Sequence, residues 1–164
     1  MGDAVLHLER VIRAPIEAVF DKLADIESIN EWQPHRGSIR RGSRKTSAGP
    51  VGLGTTYEDS TLFGKAPGEV STFDRPTELV YHWWQHAPWG AKLAEGWPAY
   101  TLEAVNEEET LVRHHARLKT YGIYAPATPV MKRIAVRERT AVLDALEASF
   151  ARPTEPGRGS RDAG

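Results

Sequence analysis

The stretch Thr128–Ala151, TPVMKRIAVRERTAVLDALEASFA, decides the fold. Thr128 can act as an N-cap with Pro129 as the first helical residue, and no Gly or Pro follows until Pro153. At roughly 100° per residue, Met131, Ile134, Ala135, Ala141, Val142, Ala145 and Leu146 fall on one side. Lys132, Arg133, Arg137, Arg139, Asp144 and Glu147 fall mostly on the other, and Glu138 interrupts the apolar stripe near its centre. Everything upstream reads mainly as strand, which predicts an α+β fold: an antiparallel sheet of six to seven strands wrapped around one long C-terminal helix.

Working outward, a 164-residue chain is long enough for one domain with a real core, expected over residues 1–151. The Pro/Gly/Arg-rich remainder, 152–164, has the composition of a disordered tail. Hydrophobic content of 40%, charged content of 26% and net charge −1 are ordinary for a soluble protein, and nothing global recruits nucleic acid or an anionic membrane. The absence of cysteine removes disulfides, thiolate metal sites and a cysteine nucleophile. No apolar run approaches a membrane span, and MGDAVLHLER lacks the parts of a signal peptide, so a cytoplasmic protein is expected.

Val5–Ile12 reads as the first strand. Two short helices follow, Ile16–Ala24 on the spacing of Ile16, Val19, Phe20 and Leu23, then Ile26–Trp32 ending before Pro34. A basic strand is read over Gly37–Lys45, then strands over Thr55–Phe63, Gly68–Phe73, Glu78–His86, Gly96–Val105 and Thr110–Lys119. Ala87–Glu95 reads as a loop. Tyr121–Ala127 links to the long helix.

Several punctuating segments carry a family resemblance. Val11-Ile12-Arg13-Ala14-Pro15 with Val19-Phe20, Leu23 through Trp32, Gly52-Leu53-Gly54-Thr55, Phe73-Asp74-Arg75-Pro76 through Tyr81, and Tyr100-Thr101-Leu102-Glu103-Ala104-Val105 occur in that order. Together they resemble the START-like superfamily, also called SRPBCC or Bet v 1-like, over about residues 5–150, and within it the polyketide cyclase/dehydratase-like group. Arg75, Glu78 and the Glu-Glu-Thr turn depart from the usual residues. The resemblance implies a helix-grip fold with a cavity between sheet and helix. These segments mark turns and core packing, so they specify the fold rather than an activity.

Strand alternation predicts which side chains face that cavity. His114 goes inside with Val112 and Ala116, and His115 outside. Following the resemblance, Tyr81 and Trp83 point inward and His82 and Trp84 outward, while alternation adds Tyr57, Asp59 and Tyr100 to the interior. Trp32 is placed at a core wedge or pocket wall, and Trp89, Trp97 and Tyr124 at a hydrophobic mouth or, equally, in edge packing. The inward aromatics admit two readings, pocket lining or plain core.

His114 and Glu138 form the sharpest candidate pair. A buried carboxyl facing a buried imidazole is an acid/base couple able to enolise a ketone, drive an aldol cyclisation or dehydrate an alcohol. The competing reading is a structural hydrogen bond, or Glu138 reaching sideways along its helix. His82 and His86 lie roughly 13 Å apart on one strand face, too far to share a metal ion, and no metal or other cofactor is expected. The basic run Arg36–Lys45 suits either a solvated strand face or an acyl carrier protein.

The expectation is therefore a monomer or homodimer that binds a hydrophobic, aromatic or polyketide-like small molecule. It would act as a cofactor-independent cyclase/dehydratase, or alternatively as a non-catalytic carrier or sensor. A third reading is an interaction module whose cavity is filled by its own aromatics.

Overall fold

A computed structural model describes residues 1–34 and 37–151; the expected tail lies outside them. Strand β1 (Gly2–Ile12) alternates between exposed and buried side chains, as a strand covered on one face must. Helices α1 (Ile16–Ala24) and α2 (Ile29–Trp32) follow. Pro15 precedes α1, whose buried stripe is Val19, Phe20, Leu23 and Ala24. Then come β2 (Arg40–Lys45), β3 (Thr56–Thr61), β4 (Gly64–Asp74), β5 (Glu78–His86), β6 (Lys92–Asn106) and β7 (Glu109–Thr120). A 3-10 turn over Gly122–Ala127 leads into α3 (Thr128–Phe150), and Gly122, at φ 56°, supplies the left-handed residue where the chain leaves the sheet.

The sheet is seven-stranded and antiparallel, in the order β1-β7-β6-β5-β4-β3-β2. This is the helix-grip α+β arrangement expected from the sequence. Irregularities between Val70 and Thr72, and between Ala104 and Asn106, lie in the strands that must bend most to curl round the helix. The pairing of β1 with β7 runs unbroken from Gly2↔Thr120 to Ile12↔Thr110, so the alternation that separates His114 from His115 holds.

Two local expectations need correction. Ala87–Glu95 is not wholly loop, because β6 begins at Lys92. Thr128 is not an N-cap: it lies inside α3, and its hydroxyl donates to the Ala125 carbonyl at 2.6 Å and meets the Thr120 hydroxyl at 2.6 Å. The helix is also turned. Its buried residues are Thr128, Val142, Leu143 and Leu146, whereas Ile134 is exposed. The inward line runs Ala135–Arg139–Val142–Leu146: Ala135, Val142 and Leu146 belong to the stripe read off the sequence, and its centre is turned by roughly 60° toward Arg139 and Leu143. The branched and large side chains Leu143, Leu146 and Phe150 set that rotation, outweighing the alanines on the predicted face.

The core gathers where α1 and the second half of α3 meet the β1–β7–β6 end holding Ile12, Leu102 and Val112. Arg10 reaches from β1 to Asp144 (2.6 Å) and Glu147 (2.7 Å) of α3. The Lys22 ammonium donates to Ser149 Oγ at 3.0 Å and lies over the Phe150 ring. The second half of α3 is thus fixed by both packing and charge.

Candidate functional site

The opposite end of the same inner face is built from small residues. Register aligns Ala4 with Leu118 and Gly96, then Leu6 with Ala116 and Pro98. Facing them across the gap is Ala135 of α3, and these residues with Trp83, Trp97, Lys132 and Arg139 line a half-open cavity of about 40 Å3. A Cβ on Gly96 would stand 2.7 Å from the Trp83 indole, so the glycine is what lets that ring lie flat on the sheet. A second cavity, of about 90 Å3, lies beside Gln33, Ser38, Glu138 and Val142.

His114 sits where the large-residue and small-residue ends meet. It is 1% exposed, and its ring stacks on Tyr100 with centroids 4.3 Å apart. Nδ1 lies 2.9 Å from the Ala99 carbonyl oxygen. A carbonyl can only accept, so Nδ1 carries the proton, and in the neutral ring Nε2 is then an unprotonated acceptor. With Nδ1 tied to the sheet, Nε2 lies on the other side of the ring. It is buried and has no hydrogen-bond partner among the described residues. Burial, with the positive charge of Arg139 and opposed by the Ala99 bond, lowers the His114 pKa from 6.5 to about 3, which keeps the ring neutral at pH 7.

Glu138 is elsewhere. Its carboxylate accepts from Ser38 Oγ at 2.6 Å and from the Ile39 N–H at 3.2 Å, tying α3 to the segment before β2. The His114–Glu138 couple expected from the sequence is therefore not formed, because the helix rotation carries Glu138 to the flank and brings Arg139 inward. The charge of Arg139 reaches His114, Tyr57, Asp59 and Arg40, which places its guanidinium among side chains from β2, β3 and β7.

The predicted aromatics divide. Tyr57, Tyr81, Trp83 and Tyr100 all stand on the inner side, Tyr57 and Tyr81 edge to face at 5.4 Å. The Tyr81 hydroxyl donates to the Leu23 carbonyl at 2.7 Å, and desolvation drives the Tyr57 hydroxyl far above its ordinary pKa. Trp32 packs against the core with its indole N–H buried and unpartnered among the described residues. Trp89 is 75% exposed in the β5–β6 turn, and Tyr124 lies in the 3-10 turn before α3. Antiparallel register puts these two segments and the β3–β4 turn, with exposed Leu62 and Phe63, at one end of the sheet, the end with the small residues.

Of the two places expected for Trp97, a mouth or packing at the edge, its ring takes a packed one. It lies within β6 and its ring stacks on His82, centroids 4.7 Å apart and nearly parallel, on the outer face. Beside it Glu95 is held by Tyr121, by His82 at 3.0 Å and by Lys92 at 3.1 Å. Burial opposes ionisation there, yet those three hydrogen bonds prevail and hold the Glu95 pKa down at about 2.

A polar group that the sequence did not reveal lies under α2. Arg40 turns inward to Gln33 Oε1 (2.7 Å), Ser43 Oγ (2.8 Å) and Asn30 Oδ1 (3.4 Å). Ser43 also donates to Asp59, whose pKa burial raises. Plain alternation would put Arg40 on the face of exposed Arg44 and opposite Ser43; the register shift between Arg40 and Gly42 turns it inward beside Ser43 instead, and a run of basic residues reads first as solvated. Among the described residues no cluster of three or more ligand-type side chains is placed to hold a metal ion, and no helix is long and apolar enough to cross a membrane.

No protein-family model matches the sequence, and neither does any curated protein. Solved structures do match. The ZhuI aromatase/cyclase from Streptomyces sp. R1128 superposes with TM-score 0.75 at 12% identity, over 92% of this chain and 94% of that one. A START superfamily protein from Mycobacterium smegmatis gives 0.67 at 11% identity (90% and 97%), and Ara h 8.0201 gives 0.67 at 15% (92% and 99%). The fold is thus the START/SRPBCC, Bet v 1-like helix-grip fold that aromatase/cyclases share.

Proposed function

We propose that the protein binds a hydrophobic, aromatic or polyketide-like small molecule between sheet and helix and acts on it as a cofactor-independent cyclase/dehydratase. The observation that carries this reading is the buried Nε2 of His114, an acceptor with no partner among the described residues. A β-ketone substrate placed there would lose the proton of the carbon between its carbonyls to Nε2. The electron pair would pass to a carbonyl oxygen near Arg139, the enolate carbon would add to a second carbonyl of the same chain, and the imidazolium would return its proton to the new alkoxide. That addition closes the ring, and loss of the new hydroxyl as water, with a proton from the adjacent carbon, leaves it unsaturated. Burial is the larger cause of the lowered basicity of His114, and an enolate beside Arg139 would offset the positive charge that adds to it.

The likeness to the ZhuI aromatase/cyclase supports this chemistry at the level of fold. The substrate would arrive free or on an acyl carrier protein. Exposed Arg41 on β2 is a candidate contact for the latter. The carrier or sensor reading is favoured by one finding, the engagement of Glu138 by Ser38 and Ile39, which leaves His114 without a carboxylate partner.

The test is cyclisation of a poly-β-ketone thioester followed by mass spectrometry, comparing wild type with His114→Gln. The enzyme reading expects roughly 100-fold or greater loss of turnover with binding retained. Binding without turnover in the wild type would establish the carrier instead.

A further inference from the structure

We infer that the small-residue end of the molecule docks on an anionic lipid bilayer, inserting the apolar tips of its connections while the first half of α3 lays its cations against the headgroups. This inference is independent of the reaction proposed above.

The tips come from four separate connections. Leu62 and Phe63 stand in the β3–β4 turn, Trp89 in the β5–β6 turn, Ile123 in the 3-10 turn and Val130 in the first turn of α3, each between 57% and 78% exposed. The antiparallel register brings the turns to one end of the sheet, and the hydrogen bond between the Thr120 and Thr128 hydroxyls keeps the start of α3 there. Among the described residues the opposite end offers Leu53 and Val105 alone at comparable exposure. Two of the tips are followed by left-handed glycines, Gly64 after Phe63 (φ 109°) and Gly90 after Trp89 (φ 88°), so the chain reverses directly behind them. Gln85 Nε2 donates to the Phe63 carbonyl at 2.8 Å, which ties that turn to β5. Single apolar side chains on a surface need no explanation, but a group gathered at one end marks an interaction site.

Charge names the occupant. Segments 61–65, 86–92 and 121–137 hold Lys65, Lys92, Lys132, Arg133 and Arg137 and no Asp or Glu. Lys65 and Lys92 are engaged by Glu58 and Glu95, but exposed Lys132, Arg133 and Arg137 make no ion pair among the described residues. Acids gather at the far end, with Glu107, Glu108 and Glu109 at the β6–β7 turn and Asp74 and Glu78 bounding the β4–β5 turn. A net charge of −1 thus conceals a charge-separated molecule whose apolar end is also its cationic end. Indole, phenyl and aliphatic tips beside basic residues, with acids kept away, match the apolar and anionic layers of a bilayer surface. A protein partner would have to offer a shaped pocket to each tip, whereas a fluid bilayer accepts tips from four connections without matched shape. The half-open cavity lies at the same end, which docking would set beside the lipid.

The experiment is co-sedimentation of the full-length protein with sucrose-loaded vesicles of phosphatidylcholine, alone or mixed with phosphatidylglycerol. The wild type should bind the anionic vesicles roughly tenfold or more tightly than the neutral ones, and less tightly as salt is raised. Phe63→Ser with Trp89→Ser, and separately Lys132→Glu with Arg133→Glu, should each lower the affinity roughly tenfold or more. Leu53→Ser with Val105→Ser, at the far end, should leave it unchanged. Circular dichroism and urea unfolding establish that each variant is folded. Wild type left in the supernatant would overturn the inference, as would binding that survives loss of the two aromatic tips. A protein that ignores vesicles but forms a complex with an acidic acyl carrier protein, lost in the same variants, would overturn it in favour of a protein partner.

Discussion

The two ends of the sheet–helix interface are made from the same strands and the same helix, yet they solve different problems. At one end Ile12, Phe20, Leu102, Val112, Leu143 and Leu146 are almost completely buried, and Arg10 and Lys22 clamp the helix from outside. At the other, Ala4, Gly96, Pro98, Ala116 and Ala135 leave space, Arg139 brings charge inside, and α3 presents exposed Val130 and Ile134. Packing density stabilises a fold, and small residues beside unmatched polar atoms create a place for something else. His114 lies on the border, close-packed on Tyr100 yet left with an open nitrogen.

The comparison breaks most readily by substitution at each end. Leu146→Ala should cost roughly 2–5 kcal/mol in urea unfolding, because a fully buried side chain leaves a cavity that cannot collapse. Ala135→Leu at the open end should change stability by about 1 kcal/mol or less while blocking ligand uptake. Similar stability losses at both ends would mean that the distinction is not real.

The border residue gives the next effect. Since the folded His114 pKa of about 3 lies below its ordinary 6.5, the unfolded chain takes up the proton first as pH falls. Stability from this group is intact above about pH 6.5 and declines below it, by up to roughly 1.4 kcal/mol per pH unit. Glu95, at about 2 instead of 4.5, adds its own loss only below about pH 4.5. His114→Gln should therefore flatten the unfolding free energy between pH 6.5 and 4.5 and leave the steeper acid limb in place. An unchanged slope would remove His114 from the account.

A smaller effect is expected at the flank. Glu138→Gln should cost about 1 kcal/mol through its bonds to Ser38 and Ile39, with ligand affinity unchanged. A collapse of affinity would restore the couple with His114. Smallest of all, Thr128→Ala should cost about 1 kcal/mol or less, and Thr128→Ser should recover it through the bonds to Thr120 and Ala125.

Much of this was legible in the sequence. The strong β5 pattern LVYHWWQH marked its own ends, the family resemblance chose its inner face, and the β7 alternation placed His114 inside and His115 outside. What failed was the rotation of α3. A helix with alanines on two flanks has a broad apolar stripe, and only contact with α1 and β1 through Leu143, Leu146 and Phe150 selects its centre. That selection exchanged Glu138 for Arg139 and changed the chemistry from an acid/base couple to a cationic pocket. Trp97 fell inside the strand read over Gly96–Val105, which β7 pairs across Gly96, Trp97 and Pro98, and of its two expected places, mouth or packing, its ring takes the packed one on His82. The polar group around Arg40 depends on α2 meeting β2, a contact that no local pattern announces.

The most direct measurement is nitrogen NMR of the His114 imidazole, assigned by comparison with His114→Gln. The account predicts a neutral ring at pH 7 with Nδ1 protonated, and an Nε2 resonance typical of a bare lone pair that moves when a hydrophobic ligand is bound. A protonated Nε2 in the free protein, or an Nε2 indifferent to every ligand that binds, would contradict it.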